Sequence, residues 1–474
     1  MPSSYTEYTQ NRITHWNHIA RTRPAETFFS REYHRRLREI YQHLVSPGLS
    51  VLELGCGRGD LLAALSPARG VGVDFSPAML EIARQKHPQL TFLQADAHEL
   101  ALEETFDVIL LSDLVNDVYD VQTLLERIHP LCRPDTRLIL NTYSRLHQPT
   151  LTLAGKLGFA TQLLPQNWLA PEDTENLLRL AGFEVIQRLR EILLPLPIPL
   201  VRDVCNKILV KLWPFNALAW TNIHIARPAP TETPVEPSVS IIIPARNEAG
   251  NIEAAFRRIP KMGRHTELIF VEGHSRDDTY TAIEQAIAAH PEWDAKLFKQ
   301  CGKGKADAVR LGFEQASGEV LMILDADLTV RPEDLPRFYR ALVSGKGEFI
   351  NGVRLVYPME EEAMRFLNLV GNKFFSLAFS WLLGQPIKDT LCGTKVLYKR
   401  DYERIAANRA YFGEFDPFGD YDLIFGAARQ NRKIIDLPIR YQERTYGQTN
   451  IHRWRHGLLL LRMVLIAALR LKFV

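Results

Sequence analysis

Two aspartates, Asp325 and Asp327, follow the apolar run Val320-Leu-Met-Ile-Leu324 with one alanine between them. Carboxylates at a strand end supply the hard oxygen donors that Mg²⁺ or Mn²⁺ prefers. A cation held there would act as a Lewis acid and neutralise a leaving diphosphate. A second signature stands far upstream. Val51-Leu-Glu-Leu-Gly55-Cys-Gly57-Arg-Gly59-Asp60 is an apolar run entering a glycine-rich turn. Glycines let the backbone approach a ligand, and the helix that follows favours negative charge at its N-terminus. The spacing is Gly-x-Gly-x-Gly, and Asp60 stands where a dinucleotide fingerprint would need Gly or Ala. Asp74 closes a further apolar run 19 residues after Gly55. A carboxylate there can accept both hydroxyls of a ribose.

These groups need a scaffold, and the apolar runs provide one. Runs at 51–54, 71–73, 90–93, 108–111 and 138–140 alternate with helical patterns, the rhythm of a doubly wound parallel sheet. A helical stretch over about 28–45 precedes them, after a polar lead-in. The pattern restarts at Val239-Ser-Ile-Ile-Ile-Pro244 and continues at 268–271 and 320–324. Between the halves lies Pro228-Ala-Pro-Thr-Glu-Thr-Pro-Val-Glu-Pro237, whose four prolines rule out a helix or a central strand. The expectation is two α/β domains, 1–227 and 238–474, joined by an extended linker at 228–237.

Composition narrows the function. The 474 residues are 46% hydrophobic and 24% charged, with 57 Lys and Arg against 55 Asp and Glu. That near-balance argues against a dedicated nucleic-acid binder. The cysteines at 56, 132, 205, 301 and 392 include no Cys-x-x-Cys pair, which argues against a disulfide framework or a zinc site. Met1–Trp16 lacks an apolar run of the signal-peptide kind, so a cytoplasmic protein is expected. Gly457–Val474 comes nearest to a membrane span, but Arg462, Arg470 and Lys472 interrupt it.

Four segments in order resemble a class I S-adenosylmethionine-dependent methyltransferase: Glu-Leu-Gly-Cys-Gly-Arg-Gly (53–59), Gly-Val-Asp-Phe-Ser-Pro-Ala-Met-Leu (72–80), Ala-Asp-Ala (95–97) and Phe-Asp-Val-Ile-Leu-Leu-Ser (106–112). The resemblance implies a Rossmann-like sheet with S-adenosylmethionine as cofactor. Glu53 belongs to the cofactor loop. Gly55 and Gly57 line the methionine part, Asp74 holds the ribose and Asp96 meets the adenine amino group. Ser112 and Asp113 lie at the mouth shared by cofactor and acceptor. Asp113, Asn116, Asp117 and Tyr119 are candidate acceptor contacts; capping or surface roles are equally open to each.

The second half resembles a family 2 glycosyltransferase of GT-A fold, close to the dolichyl-phosphate mannose synthases. The matching segments are Val239–Glu248, Leu268–Asp278, Gly302–Gly312 and Gly318–Asp327. On that likeness Pro244, Arg246, Glu248, Glu272 and Lys303 contact the nucleotide-sugar. Asp325 approaches the nucleotide or sugar, and Asp327 ligates Mg²⁺ or Mn²⁺. Glu272 stands where the family usually has Asp, and Thr329 where mannose synthases often carry a metal-binding Gln. Asp420 aligns with the catalytic base, with Gly419 replacing the preceding Glu. A base is needed for a sugar hydroxyl acceptor and not for a lipid phosphate. Arg444, in Arg-Thr-Tyr-Gly-Gln-Thr-Asn (444–450), could clamp phosphate through its fork. Asp389, in Lys-Asp-Thr-Leu-Cys-Gly-Thr-Lys (388–395), lies on the acceptor side.

The apolar stretch 363–383 and the basic, apolar stretch 453–474 suggest a peripheral contact with anionic lipid, or else core helices or a dimer face. The expected function is a bifunctional enzyme. It transfers a sugar, with inversion and a divalent metal, to a polyprenyl-phosphate or glycan acceptor. Its methyltransferase half acts in the same glycan or glycolipid pathway. Two alternatives stay open: a glycosyltransferase with a non-catalytic S-adenosylmethionine-binding scaffold, and a non-catalytic nucleotide-sugar sensor.

Overall fold

The computed structural model describes residues 4–22, 28–156, 163–231, 236–354, 366–411, 421–442, 444, 446 and 453–474. The chain divides into two compact units, the first of Met1–Ala229 with Phe473–Val474 and the second of Pro230–Lys472.

Unit 1 holds a seven-stranded sheet built from β1 (Ser50–Leu54), β2 (Arg69–Asp74), β3 (Thr91–Gln94), β4 (Phe106–Leu111), β5 (Cys132–Tyr143), β6 (Phe183–Glu191) and β7 (Thr221–Pro228). Their order is β3-β2-β1-β4-β5-β7-β6. The first five are parallel, and β7 lies antiparallel between β5 and β6. Strands covered on both faces must be apolar throughout. Accordingly Val51, Leu52, Leu54, Ile109, Leu110 and Leu111 are all fully buried. Four helices matter for the site: α1 (Ser4–Thr22), α2 (Phe28–Leu44), α3 (Asp60–Ala64) and α4 (Pro77–Lys86). Ser76 caps α4 by accepting the Met79 N–H at 3.3 Å, with Pro77 at the first helical position.

Two expectations change here. The polar lead-in is the helix α1, and Pro228 ends β7 instead of opening the linker. Proline is tolerated there because it sits at a strand terminus.

Unit 2 holds a second seven-stranded sheet: β8 (Val239–Ala245), β9 (Thr266–Glu272), β10 (Asp294–Lys299), β11 (Val320–Ile323), β12 (Phe349–Val353), β13 (Lys395–Tyr398) and β14 (Ile434–Pro438). The order is β10-β9-β8-β11-β13-β12-β14, with β10, β9, β8 and β11 parallel and β13 antiparallel to both neighbours. Two buried apolar clusters cover its faces. The parallel strands all end at one edge, so the segments after β8, β9, β10 and β11 converge there. Ligands of open α/β sheets bind at such an edge. Among the described residues no helix is long and apolar enough to cross a membrane.

Candidate active sites

In unit 1 the glycine turn leaves β1 with Gly55, Gly57 and Gly59 all at positive φ. Gly57 has φ +52°, and a β-carbon added there would meet nothing within 4 Å. The turn therefore leaves an open cradle. Its N–H groups are ordered from β2: Asp74 accepts the Gly57 N–H at 2.9 Å through Oδ2 and the Ser76 N–H at 2.8 Å through Oδ1. Burial raises the Asp74 carboxyl, and those backbone donors oppose the rise. A carboxylate can accept at about four lone-pair sites, so capacity remains for a ribose hydroxyl. The cradle and this acceptor fit S-adenosylmethionine.

Glu53 is buried and accepts the Leu62 N–H at 3.1 Å, joining β1 to α3. Burial pushes its carboxyl up to about 8. Asp96 caps a short turn by accepting the His98 N–H at 2.9 Å, with the His98 ring 3.0 Å away. Burial raises its carboxyl, but the hydrogen bonds from His98 oppose this and the carboxyl lies below the ordinary range.

The sequence reading missed α1 as part of the site. Asn17 accepts the Ser76 hydroxyl at 2.8 Å. Thr9 donates to Asp96 at 3.4 Å, Trp16 Nε1 donates to Asp117 at 2.8 Å, and Arg12 pairs with Asp117 at 3.0 Å. One helix thus ties together the loops after β2, β3 and β4. Its signal was present as Tyr8, Arg12 and Trp16 at four-residue spacing.

The candidate acceptor contacts separate. Asn116 is buried and bonded to the Asn167 carbonyl at 2.6 Å, Asp117 is held by α1, and Tyr119 contacts Ser4 at 2.8 Å. Asp113 stands apart, at φ +54° just beyond the half-buried Ser112. Left-handed backbone is uncommon for a residue other than glycine. Tyr33 donates to its carboxylate at 2.8 Å and Asn141 at 2.5 Å, while Tyr41 donates to Asn141 at 2.8 Å. Burial raises the Asp113 carboxyl, opposed by the charge of His34 and those donors. This polar pocket at the end of β4 adds Tyr33, Tyr41 and Asn141 to the site.

In unit 2, Asp325 and Asp327 follow β11. Lys305, at the start of the helix Lys305–Gln315, pairs with Asp325 at 2.6 Å. The neighbouring Lys303 is exposed on the turn before it. Gly393 packs against this pair so closely that a β-carbon would collide with both the carboxylate and the ammonium. Asp327 accepts the Thr329 N–H at 3.1 Å and its hydroxyl at 2.8 Å through Oδ1. Its Oδ2 faces Arg444 Nη2 at 2.6 Å. Arg444 also reaches Glu248 at 3.1 Å, and burial raises the Glu248 carboxyl. Arg444, Asp327 and Glu248 are therefore one cluster, joining the loops after β8 and β11.

Pro244 is half-buried near the end of β8, and Arg246 is exposed on the loop beyond it. Glu272 ends β9 opposite Ala245 and turns into its own loop, accepting the Ser275 N–H at 2.5 Å. Asp277, outside the sequence-derived set, accepts from Tyr446 at 3.4 Å and from Thr279. Among the described residues no group of three or more His, Cys, Asp or Glu is arranged to hold a metal. Asp325 and Asp327 are the carboxylates that would hold a divalent cation, whose preference is for hard oxygen donors.

Asp389 stands in a different setting. It is buried in a bidentate pair with Arg354, at 2.7 and 2.9 Å, and accepts the Leu391 N–H at 3.0 Å. Burial raises its carboxyl, but Arg354 outweighs this and holds it below the ordinary range. Asp420 lies outside the described residues. Asp422, two positions on, pairs with Arg310 at 3.1 Å and Arg409 at 3.3 Å.

Comparison with known proteins agrees with both halves. Residues 240–405 match the model of glycosyl transferase family 2, and residues 28–188 match a methyltransferase domain model. A dolichol-phosphate mannosyltransferase of Pyrococcus furiosus is 28% identical over 219 residues, 45% of this chain and 59% of that protein. An undecaprenyl-phosphate 4-deoxy-4-formamido-L-arabinose transferase of Shewanella sediminis is 33% identical over 215 residues, 44% of this chain and 61% of that protein. The match thus spans about three-fifths of the length of either relative. A trans-aconitate 2-methyltransferase of Methylobacterium radiotolerans is 34% identical over 153 residues, 31% of this chain and 51% of that protein. Among solved structures, the magnesium protoporphyrin IX methyltransferase of Synechocystis with bound S-adenosylhomocysteine is 17% identical, with 48% of this chain and 98% of that one covered at a TM-score of 0.33.

Proposed function

We propose, from the presence in one chain of a methyltransferase domain and a glycosyl transferase family 2 domain, that this protein is a bifunctional transferase of a glycolipid pathway. Unit 2 moves a sugar from a nucleotide donor to a polyprenyl phosphate. The observation that carries this reading is the carboxylate pair Asp325 and Asp327 after β11, the first held by Lys305 and the second clustered with Arg444 and Glu248. Asp327 and Asp325 would hold a divalent cation, which supplies charge neutralisation for the departing diphosphate. Arg444 shifts from Asp327 to phosphate, where its planar fork suits two oxygens. The anomeric carbon exchanges its bond to the diphosphate oxygen for a bond to the acceptor oxygen, with inversion. A lipid phosphate is already an anion and needs no base; a sugar hydroxyl would call on Asp420.

Unit 1 binds S-adenosylmethionine on the cradle at Gly55 and Gly57, with Asp74 on the ribose. The cofactor supplies an electrophilic methyl group. Tyr33, Asn141 and Asp113 orient the acceptor, and Asp113 receives its proton.

A lipid contact of unit 2 is supported by two packed helices. Phe366–Leu383 exposes Phe374, Leu377 and Trp381, and Arg453–Ala467 exposes Leu458, Leu461 and Leu465. Lys472 lies 5.2 Å from the Trp381 ring. Apolar side chains bordered by basic ones suit an anionic bilayer surface.

The test is release of nucleoside diphosphate from a panel of nucleotide-sugars with Mn²⁺ and a short polyprenyl phosphate. Lipid-stimulated release from one donor, lost in Asp327→Ala, is expected. Binding of a donor without turnover under every condition would favour a sensor and refute the transferase.

A further inference from the structure

Unit 1 carries a surface that neither site uses. Residues 192–220, which connect β6 to β7, cross the carboxyl edge of the sheet beside Asp113. The register fixes this placement: Thr221 lies opposite both Glu191 and Tyr143, the last residues of β6 and β5. The Thr221 hydroxyl donates to Tyr33 at 3.2 Å, and Tyr33 donates to Asp113. The connection therefore borders the pocket assigned above to the methyl acceptor.

Its polarity is inverted. Two of its charged groups turn inward, Arg202 to Glu32 at 3.0 Å and Lys211 to Glu191, and Arg36 of α2 donates to the Asn206 carbonyl at 3.1 Å. Glu32, Arg36, Glu191 and Asn206 are each only 2% exposed. The apolar groups face outward. Trp213 is 84% and Leu200 80% exposed, and Val201, Val204, Phe215 and Leu218 are exposed with them. The neighbouring segment 144–156 continues the pattern with exposed Leu146 and Leu153. It is fastened to the connection by His147, stacked on Trp220 at 3.9 Å and bonded to the Leu218 carbonyl at 3.1 Å.

The charge of this rim selects a partner. With Arg202 and Lys211 neutralised by Glu32 and Glu191, segments 144–156 and 192–220 still carry Arg145, Lys156 and Lys207 against a single acid, Asp203. Exposed Trp, Phe and Leu set among basic residues match the interface of an anionic bilayer, where aromatic rings sit at headgroup level. A second copy of this chain would bring the same basic excess against itself.

We propose that this face of unit 1 docks on an anionic lipid surface, and that the methyl acceptor is an amphipathic, lipid-anchored molecule presented from that surface to the Asp113 pocket. The second half of the proposal rests on the methyltransferase reading of unit 1; the docking does not.

The test uses the full chain and vesicles of phosphatidylcholine with phosphatidylglycerol, with phosphatidylcholine alone for comparison. Leu377→Asp/Leu461→Asp removes the lipid face of unit 2, so that binding through unit 1 is read separately. Vesicle binding should persist in that background and favour the anionic vesicles. It should fall about tenfold or more when Leu200→Asp/Trp213→Asp is added, with S-adenosylmethionine binding unchanged as the control for folding. Spin-labelled lipid should quench the emission that distinguishes the parent from Trp213→Phe. With vesicles of a total polar lipid extract, which supplies glycolipid acceptors, methyl label from S-adenosylmethionine should appear in the organic extract.

Trp213 emission untouched by spin-labelled lipid overturns the docking. So does a loss of self-association, instead of vesicle binding, in Leu200→Asp/Trp213→Asp, because a second copy would then cover the face. Label found only in water-soluble product overturns the lipid-anchored acceptor. Failure of the parent chain to bind S-adenosylmethionine overturns the methyltransferase reading, and the quenching result still decides the docking.

Discussion

Arg444→Gln should tighten Mn²⁺ binding to the nucleotide-free chain and at the same time weaken sugar transfer. The guanidinium stands 2.6 Å from Asp327 Oδ2 and 3.1 Å from Glu248. A cation approaching Asp327 must first displace it. The Arg444 side chain is 30% exposed, so the pair belongs to the class worth about 0.2–1 kcal/mol. Removing that competitor should lower the Mn²⁺ dissociation constant by about 1.5- to 5-fold, at 1.4 kcal/mol per factor of ten. In the donor complex the sign reverses, because the fork is then needed on phosphate. A hydrogen bond to a charged group contributes about 1.5–3 kcal/mol, so kcat/KM should fall by about ten- to hundredfold. Titration of free Mn²⁺ by electron paramagnetic resonance reads the first effect, and nucleoside diphosphate release reads the second. Weaker Mn²⁺ binding in Arg444→Gln, or unaltered transfer, would refute the idea that one arginine serves Asp327 and phosphate in turn.

Three more outcomes follow from the geometry. Asp74→Ala should weaken S-adenosylmethionine binding by about ten- to hundredfold in calorimetry, because the ribose loses a charged acceptor and the Gly57 N–H loses its partner. Glu53 titrates in the fold at about 8, above its unfolded value of about 4.3. The folded state therefore keeps a proton that the unfolded chain gives up, and this stabilisation is full below the unfolded value and is lost as pH rises towards 8. Glu53→Gln should consequently gain about 2–5 kcal/mol relative to the parent between about pH 4 and pH 9 in ligand-free denaturant unfolding; parallel pH profiles would contradict the buried protonated carboxyl. Asp389→Ala leaves Arg354 buried without its bidentate partner, so a loss of about 3–5 kcal/mol is expected in unfolding, whereas unchanged stability with lost transfer would mark Asp389 as an acceptor contact.

The central parallel strands were legible because burial on both faces demands near-continuous apolar runs, as at Val51–Leu54 and Val239–Ile243, each interrupted by one polar residue; the parallel strands β10 and β14, less deeply buried, were not. Nor were the antiparallel strands. β6 reads Phe-Glu-Val-Ile-Gln-Arg-Leu-Arg-Glu and is half-buried along most of its length, so its sequence resembles a surface helix as much as a strand. The glycine turn and the two aspartates announced themselves because their chemistry sits in short contiguous motifs. Groups assembled across the chain did not. The distance in sequence hides Arg444 against Glu248, and Tyr33 against Asp113. Lys303 and Lys305 are alike in sequence, and only the start of the helix decides which one meets Asp325.

The most direct test of the whole account is the mass of the lipid product. The full chain would be incubated with the donor that supports release, Mn²⁺ and a polyprenyl phosphate, and the lipid extracted for mass spectrometry. The account predicts a gain of one glycosyl residue on the phosphate, absent without metal and absent in Asp327→Ala. Donor consumed with the lipid mass unchanged, or a glycosylated lipid made equally well by Asp327→Ala, would contradict it.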